Sequence, residues 1–427
     1  MMDNLFFRNT MVIDPDGKWN RKAVDVRISA GTIIQIAKGG SLRKSSGEKV
    51  LEEGSLSPGW IDMRVYLTDP GEEWKDDLSS LNSAALAGGF TGIVCIPVTN
   101  PMVDCSDIVQ SVKSRSAKLP VSFYVAGAIT EGAKGKDLAE LFDMKRAGAI
   151  AFTDGIRPVR ESGVMLRGLQ YASSFGGLLM SFPLDMSISG EAQVNEGKAA
   201  ATIGMKGTPN LAEEMLISRD LRLHEYFPGR LHFAPVTTSG GIDSIKSAKK
   251  KGQGISAETS AHYLAFDDSV ITGFDVNHKV FPPLRGSKDV SALRRALKDG
   301  TIDAVSSGHY PQAEEDKKME FSSAAFGAIG LQTCFSLLNT ELVETGDLEL
   351  GRLVELLSKG PRKILGLPSA DIREGAKAVL THFDEKQSWT YQPETNVSRS
   401  RNSPLFGREF RGRSLGIVSR GKYYPAF

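Results

Sequence analysis

The centre of the chain alternates short apolar runs with amphipathic segments eight times, and this alternation constrains the fold more than any other feature. The first unit joins "GWIDMRVYL" to "WKDDLSSLNSAALAGG", and the series closes at "IDAVSS". Short apolar runs followed by segments of helical period predict β-strand and α-helix pairs in a parallel sheet. Eight pairs predict an α/β fold of the (β/α)8 TIM-type barrel class. A doubly wound open sheet has the same alternation, but the count of eight favours the barrel.

The two ends of the chain have a different pattern, with strand-like runs separated by turns. "AVDVRISAGTIIQIA" near the start is typical of a hairpin, and "GRSLGIVSRGKYY" near the end has the same character. We therefore predict a small β-sandwich domain assembled from residues 1–56 and 373–427. The barrel domain is predicted to span residues 57–372.

Composition narrows the class of protein. The 427 residues include 52 Lys and Arg against 51 Asp and Glu, so no net charge favours nucleic acid or an anionic membrane. No apolar run approaches the roughly 18 residues that span a bilayer, and the N-terminus lacks the features of a signal peptide. Cys95, Cys105 and Cys334 are scattered thiols, which is typical of a reducing compartment. We expect a cytoplasmic protein.

The chemistry of a barrel enzyme is located where its strands end. The polar residues at the predicted strand ends include Arg64, Tyr66, Asp154, Ser181, Glu258, His262 and His309. A binuclear metal site needs four to six converging His or carboxylate ligands. The chain has six histidines, and we expect His224, His232 and His382 to lie away from the mouth. The mouth is therefore short of metal ligands.

Two residues keep alternative interpretations. Asp154 in "FTDG" is a candidate metal ligand, but the same letters form an ordinary turn. His309 in "SSGHYPQ" is a candidate general acid or base, because imidazole titrates near neutral pH. A loop histidine held by backbone groups explains the same sequence equally well.

Several longer segments resemble dihydroorotase of the cyclic amidohydrolase superfamily, in order and in spacing. They include "SPGWIDMRVYLTDPGEEWKDD", "ALAGGFTGIVCIPVTNP", "KVFPPLR", "IDAVSSGHYPQAEEDK" and "AFGAIGLQT". The resemblance runs nearly end to end. It implies a (β/α)8 barrel with a β-sandwich from both termini, and a place in pyrimidine biosynthesis.

The functional residues of that family do not recur with the scaffold. The resemblance places the family's metal histidines at Arg64, Tyr66, Ser181 and Pro235, and its catalytic aspartate at Gly308. Further substrate positions hold other residues, namely Thr68, Val98, Phe281 and Gln312. The residues that survive are Asp154, His309, Phe326 and Gly327. Arg64, Tyr66 and these four are our candidates for the substrate pocket.

These substitutions predict a pseudoenzyme. Without metal nothing lowers the pKa of water toward about 7, and without a base at Gly308 no group shuttles the proton. No cofactor is expected. As a hypothesis, the Arg64 guanidinium occupies the vacated metal site and pairs with Asp154.

Two functions compete at this stage. Chains of this kind without metal ligands are known as companions of aspartate carbamoyltransferase, which implies a structural or regulatory partner and a homo-oligomer. The alternative is an active dihydroorotase or other cyclic amidohydrolase with an atypical site, for which zinc would be expected. A dihydropyrimidinase-related structural protein would share the barrel, although "TDPG" and "GGFTGIVCIPVTNP" are closer to dihydroorotase.

Overall fold

The computed structural model describes residues 3–427, and its strands fall into one barrel, one terminal sheet and one short pair. In chain order the strands are β1 (Leu5–Val12), β2 (Lys22–Ser29), β3 (Thr32–Lys38), β4 (Lys49–Glu52), β5 (Ser55–Pro58), β6 (Trp60–Leu67), β7 (Phe90–Pro97), β8 (Ser122–Gly127), β9 (Ala151–Phe152), β10 (Leu178–Ser181), β11 (Val194–Asn195), β12 (Gly207–Thr208), β13 (Arg230–Phe233), β14 (Ile255–Ser260), β15 (Ala304–Ser306), β16 (Leu380–Thr390), β17 (Glu409–Ser419) and β18 (Lys422–Pro425).

The helices lie mainly between the barrel strands. They are α1 (Leu78–Ala87), α2 (Ser106–Ser116), α3 (Leu141–Ala147), α4 (Ser162–Ser173), α5 (Met186–Ser189), α6 (Lys198–Ile203), α7 (Leu211–Tyr226), α8 (Ser239–Lys250), α9 (Ala261–Ala265), α10 (Ser287–Lys298), α11 (Glu314–Lys317), α12 (Cys334–Leu338), α13 (Leu350–Leu357) and α14 (Lys359–Leu365). Short 3₁₀ turns span Glu131–Ala133, Asp268–Gly273, Val276–His278 and Pro393–Thr395, and a π-helical turn spans Asn339–Val343.

Eight parallel strands form the barrel, in the order β6-β7-β8-β9-β10-β13-β14-β15. The ring closes where Val65 pairs with His309 just after β15, and the Tyr66 amide donates to the His309 carbonyl at 3.0 Å. The (β/α)8 prediction is confirmed, and the open doubly wound sheet is wrong. Because the strands are parallel, all eight carboxyl ends meet at one mouth.

The helices form where the sequence places apolar side chains on one face. In α10 the buried residues Ala292, Leu293, Ala296 and Leu297 recur at helical spacing. The first helix, α1, begins at an N-cap, since Asp77 accepts a hydrogen bond from the Ser80 amide. The short helix α3 ends at its C-cap Gly148, whose left-handed φ of 103° suits glycine.

The terminal sheet draws its strands from both ends of the chain, as predicted. Its order is β18-β17-β16-β5-β1-β2-β3, with β4 paired to β1. The longest strands of this sheet, β16 and β17, both come from the C-terminal end of the chain. The strand β5 extends to Pro58, so this sheet reaches two residues beyond the predicted boundary at residue 56. The domain limits therefore stay a prediction.

The buried Trp60 ring joins the two parts of the molecule. It lies 4.7 Å from the Phe335 ring and 5.2 Å from the Phe383 ring, measured between centroids. Thr381 of β16 donates to the Gly89 carbonyl at 2.7 Å, beside the start of β7. The barrel and the terminal sheet therefore share a packed boundary. Nowhere in residues 3–427 is there a helix long and apolar enough to cross a membrane.

Candidate functional site

The mouth of the barrel is built around the buried side chain of Arg64 on β6. Alternate residues of a strand face the same side, so Asp62, Arg64 and Tyr66 all face the interior. The Arg64 guanidinium donates to the Tyr66 hydroxyl at 2.8 and 3.0 Å and to the Ala234 carbonyl at 2.8 Å. It also donates to the Gly155 carbonyl at 3.2 Å. A cation with 1% exposure is therefore held by neutral oxygen atoms from three strand ends.

The hypothesis that Arg64 pairs with Asp154 is wrong. Asp154 accepts hydrogen bonds from the Ile129 amide at 2.8 Å and from the Thr130 amide at 2.9 Å. The Thr130 hydroxyl donates to its second oxygen at 2.6 Å. Across the described part of the chain no carboxylate lies within 4.0 Å of the Arg64 guanidinium. The carboxylate faces the turn after β8 because the three donors there satisfy both oxygens.

The hydrogen bonds of Asp154 favour the structural one of its two interpretations. Burial raises the pKa of this carboxyl, and the hydrogen bonds from Thr130 and Ile129 only partly oppose the effect. Both of its oxygens accept hydrogen bonds from the turn after β8. The side chain stabilises the β8–β9 connection.

Aromatic rings fill most of the space beside Arg64. The Tyr66 and Tyr310 rings stack with centroids 4.2 Å apart, and the Phe182 and Phe281 rings stack at 5.5 Å. The guanidinium lies 5.4 Å from the Phe182 centroid, which is within the range of a cation–π contact. The remaining cavity is about 20 Å³, room for the centres of about one or two water molecules.

At the other positions where the resemblance places metal histidines or the catalytic aspartate, the side chain is hydrogen-bonded within the protein or offers no ligand atom. The Ser181 hydroxyl donates to Asp220 at 2.6 Å, and Pro235 has no donor or acceptor side chain. Gly308 has a φ of 65°, and a Cβ built there would lie 3.0 Å from Ser260. An aspartate at position 308 would be strained in this backbone, since left-handed φ favours glycine.

His309 is held by backbone and side-chain partners on both ring nitrogens. Its Nδ1 accepts from the amides of Gly330 and Leu331 at 3.2 and 3.3 Å, so the proton is on Nε2. Nε2 donates to Asp76 at 3.2 Å. Asp76 also accepts from the Ser398 hydroxyl at 2.7 Å. Burial acts to raise the pKa of Asp76, but the hydrogen bonds from His309 and Ser398 outweigh it and lower that pKa. This geometry favours the structural interpretation of His309.

The backbone groups of Phe326 and Gly327 are likewise used within the protein. Gln312 Nε2 donates to the Phe326 carbonyl at 2.6 Å, and Lys317 Nζ donates to the Gly327 carbonyl at 3.1 Å. The Gly327 amide donates to the Lys279 carbonyl at 2.8 Å. Only the Phe326 amide has no such partner among the described residues, so the pair offers a ligand one backbone donor at most.

A pair of zinc ions does not fit these residues. No group of three or more His, Cys, Asp or Glu side chains that could hold a metal ion occurs within residues 3–427. A guanidinium in the mouth would repel a dication, and Asp154 has no free oxygen. Burial and the charge of His278 lower the pKa of the nearest histidine, His262, to about 4, so its imidazole could bind a metal at pH 7, but it belongs to no group of three ligands among the described residues.

The sequence patterns did not reveal the most connected buried charges near the mouth. Glu213 on α7 accepts from the amides of Thr237 and Thr238 at 2.7 and 2.9 Å. Arg285 lies 3.5 Å from Glu213 and donates to the Thr237 hydroxyl at 3.0 Å. The only signal was an acid on the buried face of α7 and an arginine that ends "FPPLR". This pair holds the loop after β13.

Asp62 gives a pH-dependent prediction. Burial raises its pKa to about 7, although it accepts from the amides of Arg64 and Ser307 at 2.9 and 3.0 Å. An unfolded aspartate has a pKa of about 3.9, so between these values only the folded state holds the proton. The resulting stabilisation is complete below about pH 4 and is lost as pH rises through about 7.

We therefore expect the free energy of unfolding of the wild-type protein to fall by about 2 kcal/mol more than that of Asp62→Asn between pH 5 and pH 7. The measurement is the free energy of unfolding from urea titration at each pH. The variant will be less stable overall, because one backbone donor loses its acceptor, so the comparison is between slopes. Equal slopes would contradict the raised pKa.

Comparisons with known proteins agree on one family. A family model described as Dihydro-orotase-like matches residues 54–238. A dihydroorotase from Geotalea daltonii is 37% identical over 422 residues, which is 98% of each chain. A dihydroorotase from Pelotomaculum thermopropionicum is 38% identical over 421 residues, covering 98% of this chain and 97% of that protein.

Solved structures show the same fold at lower identity. An L-hydantoinase (dihydropyrimidinase) from Arthrobacter aurescens superposes with a TM-score of 0.87 at 23% identity, covering 99% of this chain and 96% of its own. A D-hydantoinase (dihydropyrimidinase) from Thermus sp. has a TM-score of 0.82 at 20% identity, covering 98% and 94%. Both support the barrel with its terminal sheet.

Proposed function

Because the chain belongs to the dihydroorotase family of pyrimidine biosynthesis, we propose that it is a pseudoenzyme member. In this proposal it has lost ring-opening hydrolysis and acts as a structural or regulatory partner of an aspartate carbamoyltransferase. The observation that carries the proposal is how little open space the mouth retains. Arg64 occupies the centre of the mouth, and the cavity beside it is about 20 Å³, far too small for a six-membered ring.

The chemistry of the remaining groups supports the loss of hydrolysis. Hydrolysis of a cyclic amide needs an activated water and a group that protonates the leaving nitrogen. Both oxygens of Asp154 accept from the turn after β8, and both ring nitrogens of His309 are hydrogen-bonded. A residue whose lone pairs and protons are all bound in the folded state is poorly placed to exchange them with a substrate.

The preserved scaffold supports a role that needs the fold. Buried charges away from the hydrolytic positions keep several partners, since Glu213 accepts from the amides of Thr237 and Thr238 and Arg285 donates to the Thr237 hydroxyl. The Asp76 carboxylate joins the barrel to the chain before β17 through Ser398. A molecule that served no purpose would not need these costly buried networks. A partner surface, including one between copies of this chain, is the simplest function that depends on shape alone.

The relatives' names favour a second function. Proteins named dihydroorotase match this chain at 37–38% identity over almost its whole length. An active enzyme with an atypical site is therefore the alternative.

Metal content and activity of the purified protein separate the two functions. We expect much less than one zinc per chain by elemental analysis after growth in zinc-supplemented medium. We also expect no dihydroorotate turnover in either direction, with an active dihydroorotase as the control. About two zinc ions per chain together with turnover would overturn the proposal.

The partnership needs its own experiment. The protein and the aspartate carbamoyltransferase of the same organism are mixed at micromolar concentration and measured by size exclusion with light scattering. We expect a complex of defined mass, and a homo-oligomer when the protein is alone. Separate elution of the two proteins at this concentration would argue against the partnership while leaving the loss of hydrolysis intact.

A further inference from the structure

A cleft of about 810 Å³ lies at the end of the barrel opposite the mouth. Its apolar floor contains Leu178, Leu231 and Ile255, which are the first or second residues of β10, β13 and β14. Ile364 and Leu367 at the end of α14 complete the floor. The volume falls within the range of about 300–1,000 Å³ typical of small-molecule sites.

The charges that line this cleft do not balance. Each acidic residue of the wall has a cation within 4.0 Å, in the pairs Asp16–Lys359, Asp303–Lys249, Glu355–Arg352 and Asp371–Arg373. Within residues 3–427, three further cations of the wall have no carboxylate within 4.0 Å, namely Arg230, Arg362 and Lys363. The lining side chains, five Lys or Arg against four Asp or Glu, therefore carry a net charge of +1.

Two of these cations are bound only by neutral carbonyls. Arg362 is 8% exposed and donates to the carbonyls of Gly59 and Pro368 at 3.1 and 3.4 Å. Its Nε is buried and has no hydrogen-bond partner among the described residues. Arg230 donates to the carbonyls of Gly176 and Ile364 at 3.1 and 2.5 Å. These bonds hold the guanidinium groups in place but do not neutralise them.

We propose that this cleft binds a small organic phosphate that carries a ring. A phosphate group carries about −1.5 to −2 charge at pH 7, which matches the uncompensated cations. Arginine forks and a lysine ammonium are the usual partners of phosphate oxygens. The apolar floor accommodates the ring. The site lies at the other end of the barrel from Arg64, so the inference does not rest on the proposed function.

The test uses isothermal titration of the full chain with four probes. They are uridine monophosphate, adenosine monophosphate, uridine and inorganic phosphate. We expect at least one nucleotide to bind, and to bind about tenfold or more tightly than uridine or phosphate alone, since each of those lacks one half of the ligand. Lack of binding of both nucleotides at millimolar concentration would overturn the proposal.

A charge-reversal variant of a cleft lysine tests whether the nucleotide binds in this cleft. Lys363 is exposed, lies in the last turn of α14 and makes no side-chain hydrogen bond or ion pair in the described chain, so Lys363→Glu should fold. We expect it to weaken nucleotide binding about ten- to hundredfold. The matched control is Lys250→Glu, because Lys250 is an exposed lysine in the last turn of α8. Equal affinities in the two variants would overturn the assignment, and thermal unfolding checks that both are folded.

Discussion

Replacing Glu213 by alanine should lower the free energy of unfolding by about 3–5 kcal/mol, which is the largest effect we expect from a single substitution. Glu213 is fully buried and accepts from both the amide and the hydroxyl of Thr238, at 2.9 Å each. Removing it leaves two backbone donors unpaired and leaves the Arg285 guanidinium, 1% exposed, without a counter-charge. A buried charge that loses its partner is costly, because water cannot replace the partner.

The neighbouring acid provides the matched control. Glu214 lies on the same turn of α7 but is partly exposed, so Glu214→Ala should cost less than about 1 kcal/mol. Glu213→Gln should fall between the two, because an amide keeps one acceptor oxygen and loses the charge. Urea unfolding of the four proteins gives the comparison. Similar losses for Glu213→Ala and Glu214→Ala would show that the buried network contributes little.

Replacing Asp154 by alanine should lower the free energy of unfolding by about 3 kcal/mol. Two buried amides, of Ile129 and Thr130, lose their acceptor, and an unpaired buried donor costs about 1–3 kcal/mol. The loss arises from the turn after β8 and not from Arg64, since the two side chains do not pair. Urea unfolding of wild type and variant measures it.

A double-mutant cycle tests which partner Asp154 has. We expect Arg64→Met and Asp154→Ala to be additive within about 0.5 kcal/mol, because the two groups share no direct contact. Arg64→Met and Tyr66→Phe should couple by more than this, since the guanidinium donates twice to the Tyr66 hydroxyl. A coupling above about 1 kcal/mol between Arg64 and Asp154 would restore the ion pair that the structure excludes.

The mouth illustrates how a hydrolase fold can close its own site. Arg64 places a cation in the centre of the mouth, and the Tyr66 and Tyr310 rings stack beside it. Lys279 Nζ donates to the carbonyls of Phe321 and Ala324 at 2.7 and 2.6 Å, which pins the loop beside them. Burial lowers the pKa of Lys279 to about 8. The Arg64 guanidinium and both ring nitrogens of His309 have partners within the protein, whereas the buried Nε2 of His262 has none among the described residues.

Local periodicity was sufficient to predict the architecture. Strand and helix periods are properties of neighbouring residues, so eight units and a sheet from both termini could be read along the chain. The identities at the strand ends were equally visible, since an arginine, a tyrosine and a proline stand where the resemblance places histidines. The shortage of metal ligands at the mouth could therefore be predicted from the sequence alone.

Only the tertiary structure decided what the mouth residues contact. Arg64 is held by the carbonyls of Ala234 and Gly155, which lie 170 and 91 residues away in the chain. Every residue has a carbonyl, so no letter in the sequence marks these two as partners. The prediction chose Asp154 because a carboxylate is the obvious partner for a guanidinium, whereas the fold turns that carboxylate toward Thr130. Backbone groups take over such roles once the fold brings them within hydrogen-bond distance, and their positions exist only in three dimensions.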